Sequence, residues 1–112
     1  MPKQGDLVLI PIPFTDLTSQ KRRPVIVISN DAYHRLGGNI VVVAMTSNPT
    51  QTPYSFTLSS NDLVTGSLNR PGTVRVDKVY TLASSLIVKA FAQVDGNTLD
   101  RIRALLTELT KS

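Results

Sequence analysis

The fold turns on "KRRPVIVISND", residues 21–31. Three cations in a row run into Pro-Val-Ile-Val-Ile. A run of β-branched residues this short, ending at Ser-Asn-Asp, reads as a buried strand entered through a charged loop. Arg23 stands before Pro24, and the proline ring pushes the preceding residue into extended geometry. Its guanidinium is therefore held at the mouth of a strand. A planar fork in that place suits a phosphate. The alternative is an ordinary solvated loop charge, and charged loops are the norm.

Strand signals recur on both sides of this segment. They cover 6–14 ("DLVLIPIPF"), 24–29, 39–46 ("NIVVVAMT"), 54–60, 72–80 ("GTVRVDKVY") and 85–94 ("SLIVKAFAQV"). Between them lie turn clusters: "TDLTSQKR", "NDAYHRLGG", "SNPTQTP" and "NDLVTGSLNRP". Six short strands at this spacing predict a small antiparallel barrel or sandwich. Pro11 and Pro13 cannot donate to a ladder, so the end of the first strand should be an edge or a bend. The tail "GNTLDRIRALLTELTKS" changes period. Leu99, Ile102, Leu105, Leu106 and Leu109 form one apolar stripe of a terminal helix of about three turns, capped by Asn97 or Thr98. Asp100 should favour the helix N-terminus. The stripe should pack onto the barrel. No boundary or repeat divides the chain, so residues 1–112 are expected to be a single domain.

Composition narrows the chemistry. The chain has 112 residues, no cysteine, one histidine and a net charge of +4. Thiol chemistry, a His/Cys metal site and paired histidines are excluded, and no cofactor is expected. The positive charge favours a polyanion such as nucleic acid. Aromatics at 5% are too few for a base-stacking platform. With no leader and no long apolar run, the expectation is a cytoplasmic protein with no membrane partner.

Three further positions can carry chemistry. In "VRVDKV", residues 74–79, strand alternation places Arg75 and Asp77 on one face and Val74, Val76 and Lys78 on the other. An aspartate could take a proton there while an arginine neutralises a developing oxyanion. A structural salt bridge is the alternative. Thr46 closes a buried strand and is followed by Ser47 and Asn48. Its hydroxyl could bind a phosphate, or cap a turn. His34, with Asp31 three residues earlier, reads as a surface-loop histidine.

The segments "GDLVLIPIPFTD", "KRRPVIVIS", "AMTSN" and "LNRPGTVRVDKVYTL", followed by the terminal helix, together resemble the PemK/MazF-like toxin family of type II toxin–antitoxin systems. The likeness spans about residues 5–109. It implies a mainly β fold with a C-terminal helix, an SH3-like barrel that forms a homodimer. It implies a metal-independent, sequence-specific endoribonuclease, an mRNA interferase that cuts single-stranded RNA through the 2'-hydroxyl and leaves a 2',3'-cyclic phosphate. It also implies a cognate antitoxin whose acidic, disordered tail blocks the RNA groove, in a complex that binds DNA. The matching catalytic positions are Arg23, Thr46, Arg75 and Asp77. The expected RNA-binding set is Lys21, Arg22, Arg23, Thr46, Ser47 and Asn48. Some members carry a functional histidine in the loop after the first strand. Here that loop reads "TDLTSQK", without one, and His34 does not align with it.

Two other classes fit such a barrel. One is a nucleic-acid-binding barrel without turnover. The other is a protein-binding poison similar to the CcdB-type gyrase inhibitors, which rely on a Trp-Gly-Ile terminus. This chain has no tryptophan and ends "ELTKS".

Overall fold

A computed structural model describes residues 2–13, 20–48 and 52–112, with the backbone alone described at 12, 13, 20 and 21. Among the described residues seven strands and two α-helices are formed: β1 (Asp6–Pro13), β2 (Gln20–Val27), α1 (Asp31–Leu36), β3 (Asn39–Thr46), β4 (Ser55–Leu58), β5 (Leu63–Thr65), β6 (Gly72–Ala83), β7 (Lys89–Val94) and α2 (Gly96–Thr110). The strands make one antiparallel sheet in the order β4-β6-β3-β2-β1-β7-β5. It curls into an SH3-like half-barrel, and the terminal helix packs on its larger core. The mainly β architecture expected from the sequence is thus the one observed.

Curling gives the sheet two cores. Leu7, Ile26, Val43, Met45, Phe56, Leu58, Val74, Val76 and Ile102 belong to the larger. Val8, Ile10, Val25, Val27, Ile40 and Val42 form the second, with Leu82 and Ile87 packed against it. Neighbours such as Leu7 and Val8 go to opposite clusters because successive strand residues face opposite sides. That explains why "LVLI" and "VIVI" are continuously apolar: both faces are covered. Each fully buried Leu, Ile or Val contributes about 1.5–3 kcal/mol of transfer free energy.

The prolines of β1 fall where the ladder is one-sided. β1 pairs with β7 only over Asp6–Leu9 but with β2 out to Pro13. On its other side β2 meets β3 only over Val25–Val27. Residues 10–13 and 20–24 therefore form a two-stranded arm beyond the sheet, as Pro11 and Pro13 require. The end of the first strand at Phe14, the turn through 15–19 and the turn at 49–51 lie outside the described residues.

Several elements differ from the sequence reading. β2 begins at Gln20, so Arg23 sits within the strand, opposite Ile10. The "NDAYHRLGG" segment is not a turn cluster: Asn30 caps α1 by accepting from the Tyr33 amide at 2.9 Å. β5 forms inside a segment read as turns, because Leu63 and Thr65 can pair with β7. β7 starts at Lys89, after a 3₁₀ turn at Ser84–Leu86. The terminal helix is capped by Asp95, whose Oδ1 accepts from the Thr98 amide at 2.8 Å. That bond holds the Asp95 carboxyl below the usual range. Asn97 and Thr98 lie inside the first turn, and Asp100 pairs with Arg103 at 2.7 Å. Leu99, Ile102, Leu105 and Leu106 pack on the larger core as expected, and Arg101 lies 4.4 Å over the Phe56 ring. Leu109 is 36% exposed, past the end of that contact. No helix among the described residues is long and apolar enough to cross a membrane.

One glycine is obligatory. Gly66 has φ +81°, and a Cβ there would lie 2.5 Å from the Phe91 carbonyl oxygen. That oxygen belongs to the β7 backbone and cannot move aside. Gly66→Ala should cost on the order of 2 kcal/mol, from the left-handed backbone and the clash together. Urea unfolding of the two proteins checks this; equal midpoints would show that the 66–71 loop yields.

Candidate functional site

The site is built where β2, β3 and β6 run side by side. Val25 pairs with Ala44, and Ala44 with Arg75. Cross-strand partners share a face, so these three form one row. One row further, Thr46 pairs with Thr73. Arg23, two residues before Val25, and Thr46, two after Ala44, lie past the last β2–β3 pair and line one hollow together. Arg23, Thr46 and Arg75 thus share a face. Neighbouring strands lie about 4.8 Å apart, and Arg75 stands diagonal to Thr46, roughly 7–8 Å away by sheet geometry.

Asp77 reaches the same group through a bulge. Val43 pairs with Val79 but its neighbour Ala44 pairs with Arg75, so residues 76–78 of β6 have no partner on β3. The Val76 amide bonds instead to the Tyr54 carbonyl at 2.9 Å, and its side chain stays in the core. Such a bulge bends the strand and re-aims side chains. Here it lets the carboxylate close on its neighbour: Arg75 Nε donates to Asp77 Oδ1 at 2.9 Å and Nη2 to Oδ2 at 2.8 Å. The pair is bidentate, and it lies within one strand rather than across two. The Asp77 carboxyl is held below its ordinary value chiefly by the hydrogen bond from Arg75. The same bond raises the Arg75 guanidinium. Their side chains are 25% and 29% exposed, so a ligand can approach both.

Beside this pair opens a concavity of about 550 Å³. Of the residues expected to bind RNA, Arg22, Arg23, Thr46 and Ser47 line it together. The Asn48 side chain is not among its walls, but its amide donates to Thr46 Oγ1 at 3.1 Å. That bond leaves the Thr46 hydroxyl proton to point elsewhere. Lys21 belongs to β2, but its side chain lies outside the described residues. Arg75 and Asp77 stand alongside the concavity, not in its lining.

The opposite wall is Leu68, Asn69, Arg70, Pro71 and Gly72. The sequence reading assigned none of these a role. A signal for one of them was present: "RP" occurs twice, at Arg23–Pro24 and Arg70–Pro71, and both arginines line the same hollow. Gly72 permits the wall's close approach, since a Cβ would strike the Met45 side chain.

His34 is not a surface-loop residue. It is buried on α1, with Nε2 2.6 Å from Ser29 Oγ and Nδ1 3.9 Å from Asp31 Oδ1. Ser29 Oγ also accepts from the Val41 amide at 2.9 Å. The residue types are those of a nucleophilic triad, but the hydroxyl is engaged by the β3 backbone and His34 is buried. The cluster fastens α1 to β3. Among the described residues no group of three or more His, Asp or Glu could hold a metal ion.

Residues 3–110 match the family model described as "PemK-like, MazF-like toxin of type II toxin-antitoxin system". The chain belongs to this family. Among solved structures, a MazE–MazF complex from Deinococcus radiodurans is similar over 96% of this chain and 94% of that one, with a TM-score of 0.77 and 27% identity. MazF alone from the same organism gives a TM-score of 0.75 and 25% identity over the same shares. A mycobacterial endoribonuclease in complex with its cognate antitoxin shares the fold at a TM-score of 0.78, with 19% identity over 96% and 93% of the two chains. No curated protein matches.

The ion pair gives a test that does not depend on activity. Because Asp77 is depressed in the folded state, its contribution is complete above the unfolded value of about 3.9 and is lost as pH falls through the lower folded one. At about pH 7, Asp77→Asn should cost about 1 kcal/mol or less, as exposed pairs do. The difference in Tm from wild type should shrink on acidification from about pH 5 to about pH 2. A difference that stays constant with pH would mean the pair contributes nothing to stability.

Proposed function

We propose that this toxin is a metal-independent endoribonuclease that cuts single-stranded mRNA at chosen sequences. The reading rests on one observation above the others: Arg23, Thr46 and the Arg75–Asp77 pair share one sheet face beside a cationic hollow. The names of the mycobacterial and Deinococcus proteins similar to it support the same class. The proposal treats residues 1–112 as one PemK/MazF-like domain acting in the cytoplasm.

RNA brings its own nucleophile. Asp77 takes the proton of the 2'-hydroxyl as that oxygen attacks the adjacent phosphorus. The bond from phosphorus to the 5'-oxygen breaks, leaving a 2',3'-cyclic phosphate. Asp77 is ionised throughout the neutral range because Arg75 holds it low. Two of its lone-pair positions are engaged by the guanidinium and others remain for the incoming proton. Arg23 and Arg75 stabilise charge on the five-coordinate phosphorus. The raised value of Arg75 makes it a poorer proton donor still, so its part is electrostatic and the departing oxygen takes its proton from solvent. Thr46, its Oγ1 already accepting from Asn48, donates its hydroxyl proton to a phosphate oxygen. Arg22, Ser47 and Lys21 hold the flanking backbone.

Two assembly partners belong to the proposal. The first is a second copy of the chain. Val79, Tyr80, Leu86 and Val88 are each 41–45% exposed, more apolar side chain than a monomer needs to show. The dimer would carry +8, twice the +4 of one chain. The second is an antitoxin with an acidic, disordered tail, whose carboxylates would take the phosphate positions at Arg22, Arg23 and Arg75.

Purified protein incubated with naked RNA in excess chelator should yield discrete fragments with cyclic-phosphate ends. Asp77→Asn should lower the rate at least roughly a hundredfold, the contribution of a positioned base. Arg23→Lys should lower it roughly tenfold or more, because an ammonium cannot make the bidentate fork. Intact RNA under these conditions would overturn the reading, and an Asp77→Asn variant cutting at wild-type rate would remove Asp77 from it.

Light scattering should give the mass of two chains at micromolar concentration. A monomer that still cuts RNA would show that one chain holds a complete site.

A further inference from the structure

The wall at residues 68–72 faces the phosphate-binding wall across one hollow, yet it supplies nothing to bond cleavage. It is also held firmly. Gly66 at its entry packs against the β7 backbone at Phe91 and Ala92. In its middle, Ser60 Oγ accepts from the Leu68 amide at 2.9 Å and donates to the Leu68 carbonyl at 3.3 Å. At its exit Gly72 is pressed against Met45. Between these fixed points stand the exposed side chains of Asn69 and Arg70.

Their chemistry differs from that of the opposite wall. Arg22 and Arg23 are cations, suited to the constant part of RNA, its backbone. Asn69 offers a carboxamide, one acceptor and two donors in a plane, which matches the edge of an unstacked base. Arg70 precedes Pro71 as Arg23 precedes Pro24, so its backbone is likewise kept extended. It presents a second fork to the hollow, opposite the first.

We propose that Asn69 reads the base of a nucleotide flanking the cut bond, while Arg70 holds the neighbouring phosphate. The two walls thereby divide the work: one binds the reacting phosphate and the other chooses which nucleotide lies beside it. Rigidity matters to this division. A wall fixed at three points loses little conformational entropy on binding, so a wrong base leaves the Asn69 amide unpaired instead of being accommodated. The inference rests on the endoribonuclease reading and specifies its substrate selection.

The test uses the full chain and two probes. The first is a long natural RNA, mapped for cut sites by primer extension. Asn69→Ala should lower the preference for the favoured sequence over others by roughly tenfold or more, since a bidentate base contact is worth that much. Asn69→Asp, which keeps size but offers acceptors alone, should move the preference toward guanine, whose N1–H and N2–H groups are both donors. The second probe is a 2'-O-methylated oligonucleotide, which binds without being cut. Arg70→Ala should weaken it equally for all sequences and reduce the slope of log affinity against log salt by about 0.7, one phosphate contact on a single strand. Unchanged cut-site distributions in both Asn69 variants, with the wild type cutting, would overturn the role of Asn69 and leave the nuclease reading intact. An unchanged salt slope would do the same for Arg70. A wild type that neither cuts RNA nor binds the methylated probe would overturn both readings together.

Discussion

The β3–β6 ladder governs the rest of the molecule. It is the longest contact between neighbouring strands and runs from Asn39–Ala83 to Thr46–Thr73. Its register shifts by three residues at Val43/Ala44, which divides β6 into two parts. The part before the shift carries Val74 into the larger core and pairs with β4. The part after it carries Leu82 onto the second core. The shift of register lies between these two parts of β6, so Val74 and Leu82, which would share a face of a regular strand, pack on different clusters. The bulge bends the strand, and the sheet curls around it.

The same bulge adjoins the Arg75–Asp77 pair. Arg75 and Asp77 in a regular strand would stand about two residues' rise apart, some 6.6–6.8 Å, with parallel side chains. Beside the bulge their side chains meet in a bidentate pair at 2.8–2.9 Å. The hydrogen bond from the guanidinium outweighs the desolvation of the aspartate and holds its carboxyl below the ordinary value. The lowered carboxyl and the raised guanidinium form a fixed dipole on one strand.

Charge is distributed with the same economy. Arg22, Arg23 and Arg70 all line one hollow of a chain whose net charge is only +4. Two of the three are held by a following proline and sit on segments tied to the sheet. The arrangement concentrates positive potential where a polyanion would lie, while other ions are paired locally, as Arg103 is with Asp100 and Lys111 with Glu108. His34, by contrast, serves the scaffold. It is sealed under α1 against Ser29, and the fold places it away from the hollow.

What the sequence determined by itself was local. Period-2 and fully apolar runs identified six of the strands, the prolines identified the one-sided end of β1, and the leucine stripe identified the face of α2 that packs. Arg23, Thr46, Arg75 and Asp77 could be named because a few residue types at short spacing, in a familiar order, pointed to them. Elements that depend on a partner were not legible. β5 is three residues that become a strand only beside β7, and α1 is six residues whose helix depends on its Asn30 cap and the burial of His34. Only the tertiary structure decided that Arg23 would face Thr46 from another strand, that a shift of register would join Arg75 to Asp77, and that Asn69 and Arg70 would stand across the hollow from them. Sequence separation hides such neighbours: from Arg23 to Arg70 the chain crosses β2, β3, β4 and β5, and no local propensity records where a strand returns. That information lies in burial and in ladder register, which are properties of the whole sheet.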